Sequence, residues 1–536
     1  MESRNSVATH GLWAGTNKFM CLASSLMVLA FVIFAVTNVE LSNYIFNTLN
    51  TWITTKLSWY YIIVVSSVLA FAVWVAFSRF GKIRLGRDDE SPEFGFTAWF
   101  SMLFSCAIGT GLLFWSIAEP ITHMQGNPFA EMRGFAPNTA EAAQMAIEVT
   151  MFHWGLHGWA VYIMVGLCLA YFSYRRGLPL TVRSGLYPIL GERVNGPIGH
   201  GVDLLAIFST LFGTATTLGL GVSQMNAGLN YLFGMSISTS SQLILIAVVS
   251  LIATVSAISG IGRGIKVLSI WNIRLSVLVI LFFVLAGPTV FLFDLAVSSI
   301  GDYAVSFVSM GFWVDLQSDR QWQGWWTIFY WGWWLSWGPL VGMFIARISR
   351  GRTIRQFLLS ALVIPPLGGF LWIIIFGGTA LNIDLYQGGQ LTEAVNADIT
   401  QALYQTIEAL GVDSMTGIIA GLSTFLIVTW FVTSADSGTL VISTIVSQGS
   451  ANPPNWLRAA WGIGLGVVSA ILLLSGGLDA LKTASIVAAF PFSIVFIFMC
   501  WALVKGLNDE TQGIAYNSGD LVKTNVMQTA KQAVGH

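Results

Sequence analysis

Twelve predominantly apolar runs, each about 20 residues long, restrict this chain more than any other feature, because a helix of that length spans the hydrocarbon of a bilayer. They fall at roughly 19 to 38, 58 to 78, 96 to 118, 149 to 172, 201 to 223, 240 to 260, 272 to 294, 325 to 346, 356 to 378, 416 to 447, 457 to 476 and 484 to 505. With 55% hydrophobic and 10% charged residues among 536, the chain is far more apolar than a soluble protein. Hydrocarbon offers no partner to backbone N–H and C=O groups, so the spans must be helices. The expected fold is an all-α polytopic membrane protein with 12 transmembrane helices.

An even number of crossings puts both termini on one side, and charge selects the side. With the termini inside, 21 of the 25 lysines and arginines fall on inner segments, and only Lys56, Arg133, Arg320 and Lys482 lie outside. The expectation is a multi-pass protein of the cell's inner (plasma) membrane with both termini cytoplasmic. Residues 1 to 18 form the cytoplasmic N-terminus, and residues 506 to 536 a polar tail with little order. Cys21, Cys106, Cys168 and Cys500 sit in apolar runs without metal-like spacing and read as packing residues. The first apolar run is too long for a secretory signal. A net charge of −1 gives no reason to expect a nucleic-acid partner; the partners implied are the lipid bilayer and a small substrate.

Small residues interrupt two spans near their midpoints. The third contains Ala107-Ile108-Gly109-Thr110-Gly111, and the eighth contains Gly332 with Gly338-Pro339 beyond it. Broken backbone inside a bilayer is tolerated only where protein or a wet cavity satisfies it, and paired breaks in two halves point to a carrier's midplane site. Spans three and eight are five apart and cross in opposite directions. That predicts a 5+5 inverted repeat, residues 96 to 294 and 325 to 505, preceded by two peripheral helices at 19 to 78.

The richest chemistry is aromatic. Gly324 to Gly338 carries six tryptophans, and at about 100° per residue Trp326, Tyr330, Trp333 and Trp337 share one stripe. In span four, Tyr162 and Trp159 lie about 80° and about 140° from Trp154, so their rings share one side of a continuous helix. Facing Trp334, they make a cage of ring faces that attracts a quaternary ammonium or sulfonium group without a buried carboxylate. Spans three, four and eight offer only Glu119 and Glu148, both placed near helix ends. The competing reading of any single ring is core packing.

Other polar groups are less specific. His153 and His157 have i, i+4 spacing but lack the rest of a metal motif, so structural hydrogen bonding is expected. Thr210 with Thr214, and Thr433 with Ser434, offer hydroxyls to a sodium ion, with carbonyls freed at Ser105 to Ile108; helix-to-helix bonding is the alternative. Asp436 is an intramembrane acid suited either to a proton carrier or gate, or to a salt bridge with an inner arginine. The basic loop Ala346 to Arg355 reads as a latch or as a topology signal. No nucleophile–base pair or cofactor ligand set occurs, so no enzymatic activity is expected; a channel is the alternative from another class.

These residues resemble the betaine/choline/carnitine transporter family over nearly the whole chain. The resemblance rests on Trp331-Gly332-Trp333-Trp334-Leu335-Ser336-Trp337-Gly338-Pro339, the following Val341 to Thr353, Phe152-His153-Trp154 to Tyr162, Phe212-Gly213-Thr214-Ala215, Ala118-Glu119-Pro120 and Thr433 to Ser437. It implies a LeuT-like, usually trimeric carrier with an aromatic box of Trp154, Trp159, Tyr162 and Trp334, and with Trp333 and Trp337 along the pathway. It implies sodium ligands at Ser105, Ile108, Thr433 and Ser434 in one site and at Thr210, Thr214 and Leu340 in another, with sodium as coupling ion and no other cofactor. Backbone donors at Ala107, Ile108, Gly109 and Gly111 are expected to hold a substrate carboxylate. Sodium-coupled betaine carriers typically read Gly-Met-Gly-Ile-Gly where this chain has Ala107 to Gly111, and proton-coupled choline carriers tend to place an Asp at position 111. The first departure bears against glycine betaine and the second against choline, while the basic residue in span five and the Met in span eight that replace ion ligands in the sodium-independent carnitine exchanger are absent, with Val341 at the latter position. The resemblance therefore leans to sodium-coupled uptake of a zwitterion such as glycine betaine or dimethylsulfoniopropionate. A sodium-independent exchanger of the carnitine/butyrobetaine type and proton-coupled choline uptake stay open.

Overall fold

The structure is a computed structural model describing residues 7–8, 11, 13–107, 109–259, 264–316, 320–388 and 390–514; for residues 105–107, 259 and 264–269 only the backbone is described. Among the described residues every regular element is a helix. In chain order the principal ones are α1 (Lys18–Thr37), α2 (Val39–Lys56), α3 (Ser58–Phe77), α4 (Phe96–Ala107), α5 (Thr110–Met124), α6 (Ala140–Trp154), α7 (Leu156–Ala170), α8 (Pro197–Phe233), α9 (Thr239–Ser259), α10 (Gly264–Ala286), α11 (Thr289–Gly311), α12 (Phe329–Ile348), α13 (Ile354–Tyr386), α14 (Asp413–Val446) and α15 (Asn455–Thr511).

Each of the twelve expected segments is helical, but nine helices among the described residues are long and apolar enough to cross a bilayer. α4 and α5 are half-length pieces, α12 is rich in tryptophan rather than aliphatic residues, α15 carries two expected spans in one run, and α10 is counted only over Ile270–Ala286, where its side chains are described. α11 was expected to be a loop, yet its 23 residues qualify by length and composition. α2 likewise replaces an expected loop with a polar helix.

The chain bends where helical φ/ψ fails. Gly109 is extended between α4 and α5, as the sequence suggested. Two further breaks were not anticipated: Gly155 (φ −95°, ψ −142°) divides α6 from α7, and Gly476–Gly477 (φ +64° at Gly477) kinks α15. The break expected in span eight is absent, and α12 runs unbroken through Gly332, Gly338 and Pro339. A Cβ at Gly332 would meet Ile486 Cα at 2.9 Å, so that glycine serves close packing against α15 rather than unwinding. The departure from α geometry lies one turn earlier, in a wider π turn at Gly324–Ile328. The paired breaks that suggested the inverted repeat are therefore not paired.

The segment before α4 and the basic loop after α12 are joined. Leu85 N–H donates to Arg352 O, Gly351 N–H to Leu85 O, and Ile354 N–H to Ile83 O, at 2.8 to 2.9 Å. Arg350 pairs with Glu90 at 2.5 Å, Arg84 donates to Gly351 O at 2.9 Å, and Arg352 lies 4.5 Å over the Trp99 ring. Thr353 and Gln356 then form a capping box that starts α13. The tail expected to lack order from Gly506 continues as helix to Thr511. Glu510 holds Arg175 at 2.6 Å, and Arg175 also holds Asp88 at 2.6 Å. This end is the basic face; the short helices Leu391–Ala397 and Ala402–Ala409 cover the opposite one.

Candidate functional site: an aromatic cavity backed by a carboxylate

α7 and α12 pack along one another, and α5 packs on α6. Between them lies a cavity of about 110 Å³ lined by Trp154, Trp159, Tyr162, Trp333, Trp334 and Trp337, with Gly109, Gly111, Thr217 and Ser434. All six aromatic residues singled out from the sequence line this one space, as do Gly109 and Gly111. Ile108 lies outside the described residues, and Ala107 is described only as the last residue of α4.

The rings meet edge to face. Trp154 and Trp334 have centroids 5.0 Å apart at 72°, Tyr162 and Trp334 5.9 Å at 73°, and Trp159 and Tyr162 5.4 Å at 82°. Trp333 stacks on Trp334 at 5.0 Å and 13°. Glycine makes this approach possible: a Cβ at Gly158 would meet Trp334 Cδ1 at 2.7 Å, and one at Gly111 would meet Trp333 Cη2 at 2.6 Å. The break at Gly155 falls between Trp154 and Trp159, so the single continuous helix assumed for these rings is corrected. They share the cavity from two helices.

Hydrogen bonds fix the ring planes. Trp334 Nε1–H donates to His153 O at 2.9 Å, and Trp333 Nε1–H to Thr217 at 3.2 Å. Trp154 Nε1–H donates to Glu119 Oε2 at 3.0 Å, and Tyr330 O–H to the same oxygen at 2.5 Å. Glu119 Oε1 lies 2.6 Å from His153 Nδ1 and 3.4 Å from His123 Nε2. Glu119 is thus a fully buried carboxylate directly behind the cage, not the peripheral helix-end acid of the sequence reading. Tyr330, on the aromatic stripe of the sequence, joins the same network. The two residues before Pro120 gave the available signal, since an intramembrane acid is functional by default.

His153 and His157 do not form a metal pair, because the Gly155 break turns them apart. His157 stacks on Trp331 at 5.8 Å, whereas His153 bonds Glu119 and, at 3.1 Å, Thr327. Donor atoms of Glu119, His123 and His153 do lie within 4.8 Å of one another, a metal-competent spacing. Both Glu119 oxygens and both His153 nitrogens are hydrogen-bonded, whereas neither ring nitrogen of His123 makes a hydrogen bond.

The two hydroxyl groups differ. Thr210 and Thr214 are fully buried, with hydroxyls that have no hydrogen-bond partner. A Cβ at Gly438 would lie 3.1 Å from Thr214 Oγ1 and 3.5 Å from Leu340, so these three residues meet. Thr433 instead donates to Trp430 O at 2.9 Å, while Ser434 lines the aromatic cavity. The side chain of Ser105 is outside the description. Asp436 takes a hydrogen bond from Ser256 at 3.0 Å, a helix-to-helix contact rather than a bond from an arginine.

Two further cavities flank the cage. One of about 350 Å³ on the basic side shares Trp337, Val341 and Ser434 with it. The other, about 680 Å³ on the opposite face, shares none of its described lining. Trp115 and Phe329, which line the second cavity, are packed against Tyr330 and Trp333 at 5.1 to 6.2 Å and so separate the two spaces.

Comparison with known proteins shows the family. The model of the betaine/carnitine/choline family transporters matches residues 19–512. A probable glycine betaine transporter of Desulfitobacterium hafniense (strain Y51) is 41% identical over 490 residues, 91% of this chain and 97% of that one. Glycine betaine transporter OpuD of Bacillus subtilis (strain 168) is 46% identical, covering 86% and 89%. The high-affinity choline transport protein of Escherichia coli (strain K12) is 41% identical, covering 86% and 67%. The chain is a multi-pass membrane transporter, not an enzyme, and belongs to the betaine/carnitine/choline transporter family.

Proposed function

We propose that this protein is a secondary active carrier that takes up a quaternary ammonium or sulfonium zwitterion, of the glycine betaine or dimethylsulfoniopropionate type, by alternating access coupled to sodium. The observation that carries this reading is the single cavity into which Trp154, Trp159, Tyr162, Trp333, Trp334 and Trp337 all project. Ring faces hold an onium group that has no N–H to satisfy, and desolvation raises such an attraction to about 2 kcal/mol. The backbone at Gly109 to Gly111 and the Trp337 indole N–H, which has no partner, offer donors to a carboxylate.

Sodium coupling is supported by the orphaned hydroxyls of Thr210 and Thr214, the latter near Leu340, since buried polar atoms without partners are costly unless a ligand completes them. An oxygen set of this kind suits a hard cation. Thr433, Ser434, Ser105 and Ile108 are the residues for a second ion. A sodium ion that binds better to the substrate-ready state shifts the population toward it. Alternating access is supported by the lining shared between the cage and the basic-side cavity, against the ring layer of Trp115 and Phe329 on the other side. In this reading the basic face is cytoplasmic, both termini lie there in the plasma membrane, the two five-helix halves rock about the cage, and the carrier is a homotrimer.

The E. coli relative named for choline keeps that substrate in view, but an Asp side chain at position 111 has no room beside Trp333 without moving the ring. Uptake of labelled glycine betaine into proteoliposomes, with and without an inward sodium gradient, tests the proposal. The gradient should drive accumulation. Uptake indifferent to sodium and driven only by internal substrate would replace symport with exchange.

A further inference from the structure

Lys482 was expected in an outer loop, but it lies within α15 just past the Gly476–Gly477 kink. Its ammonium sits 5.0 Å from the Trp115 ring centroid and 5.4 Å from that of Phe329, the two rings that separate the cage from the 680 Å³ cavity. Among the described residues it makes no salt bridge. The other charged residue lining that cavity is Asp479, three positions earlier on the same helix. A lysine that is not in ion-pair contact with its neighbour Asp479, held over aromatic faces at the mouth of a pathway for onium compounds, occupies the position a substrate's own cation would take.

We propose that Lys482 is a specificity-determining residue that admits onium zwitterions in preference to net cations. A zwitterion brings a carboxylate that pairs with the Lys482 ammonium and draws it off Trp115 and Phe329, leaving those faces to the onium group. Total charge is unchanged by that exchange. A bare cation brings no such partner and meets the ammonium by repulsion alone. Asp479 opposes the effect by lowering the positive potential at the mouth. The inference rests on the proposed onium function and assigns it a substrate class.

The test is the ratio of the inhibition constants of choline and glycine betaine against one labelled onium, measured on the full-length carrier in proteoliposomes. The two competitors share the trimethylammonium group, so damage to the fold weakens both and cancels in the ratio. Lys482→Gln should lower the preference for betaine by roughly twofold to fivefold, the effect of losing one partly exposed charge pair. Lys482→Arg should keep the preference, and Asp479→Asn should raise it. An unchanged ratio in Lys482→Gln overturns the proposal; if that variant does not fold, an unchanged ratio in Asp479→Asn does so. Should Trp334→Ala still abolish binding of both competitors, the onium cage stands and only the role of Lys482 falls. Should Trp334→Ala leave both untouched, the cage reading falls first.

Discussion

At the cavity, rings meet at centroid distances of 5.0 to 6.5 Å with one buried carboxylate behind them, and the ring edges are fixed by N–H bonds to Glu119, Thr217 and the His153 carbonyl. On the basic face, Arg84, Arg175, Arg350, Arg352 and Arg355 each already hold a carbonyl or a carboxylate. Among the described residues, no cation lies on the aromatic faces of the first region. The second has its cations paired and near water, where ion pairs contribute about 0 to 1 kcal/mol each. A binding site is recognised by what its groups still lack, and by that measure the cavity, not the basic loop, is the candidate site.

The comparison breaks most decisively at Trp334. Trp334→Ala removes the ring shared by the Trp154 and Tyr162 contacts, and onium affinity should fall at least about 30-fold, the equivalent of about 2 kcal/mol. Competition binding on the purified carrier reads this, and unchanged affinity would detach the cage from substrate.

Next in size is Glu119→Gln. It keeps the shape but places an amide where Trp154, Tyr330 and His153 all need an acceptor, and a compromised buried hydrogen bond costs about 1 to 3 kcal/mol. The Michaelis constant should rise about tenfold with a smaller change in turnover. Equal loss of both would show that Glu119 maintains the fold and not the ring planes.

Thr214→Val sharpens the ion side of the account. It deletes a buried hydroxyl that has no protein partner, so in a carrier with no ion there it should be neutral or stabilising. The account predicts instead that the sodium concentration for half-maximal uptake rises several-fold while onium binding at saturating sodium is kept.

The smallest effect belongs to the basic loop. Burial pushes the Glu90 carboxyl up, but the Arg87 N–H and Arg350 hold it, on balance, below its ordinary value. A depressed carboxyl contributes stability above its ordinary value of 4.5 and loses it as pH falls through the folded value. Thermal unfolding should therefore show a modest loss below about pH 4.5 that Glu90→Gln abolishes, with onium affinity unaffected. A large change in affinity would make the basic loop part of the transport cycle.

Helical spans, aromatic lining and the break at Gly109 were legible in the sequence because they follow from apolar length, ring spacing and glycine. Connections that depend on three dimensions were not. Nothing local says that Glu119 on α5 reaches Trp154 on α6 and Tyr330 on α12, or that Lys482 leaves its expected loop to lie over Trp115. Nor could spacing tell that Gly332 serves close packing against Ile486 while Gly155 breaks a helix. Glycine signals both, and only its neighbours decide. α11 escaped notice because polar residues such as Asp294 and Asp302 interrupt a run whose apolar side is continuous.

The most direct test replaces the onium nitrogen by carbon. Glycine betaine and its neutral-headed isostere 3,3-dimethylbutanoate have the same shape and carboxylate and differ only in the cationic centre. Calorimetric titration of the purified carrier at saturating sodium should give binding of glycine betaine at least about tenfold tighter than the isostere, the difference a desolvated cation–π contact supplies. Equal affinity for the two would contradict the cage, because an apolar pocket that reads only shape cannot tell them apart.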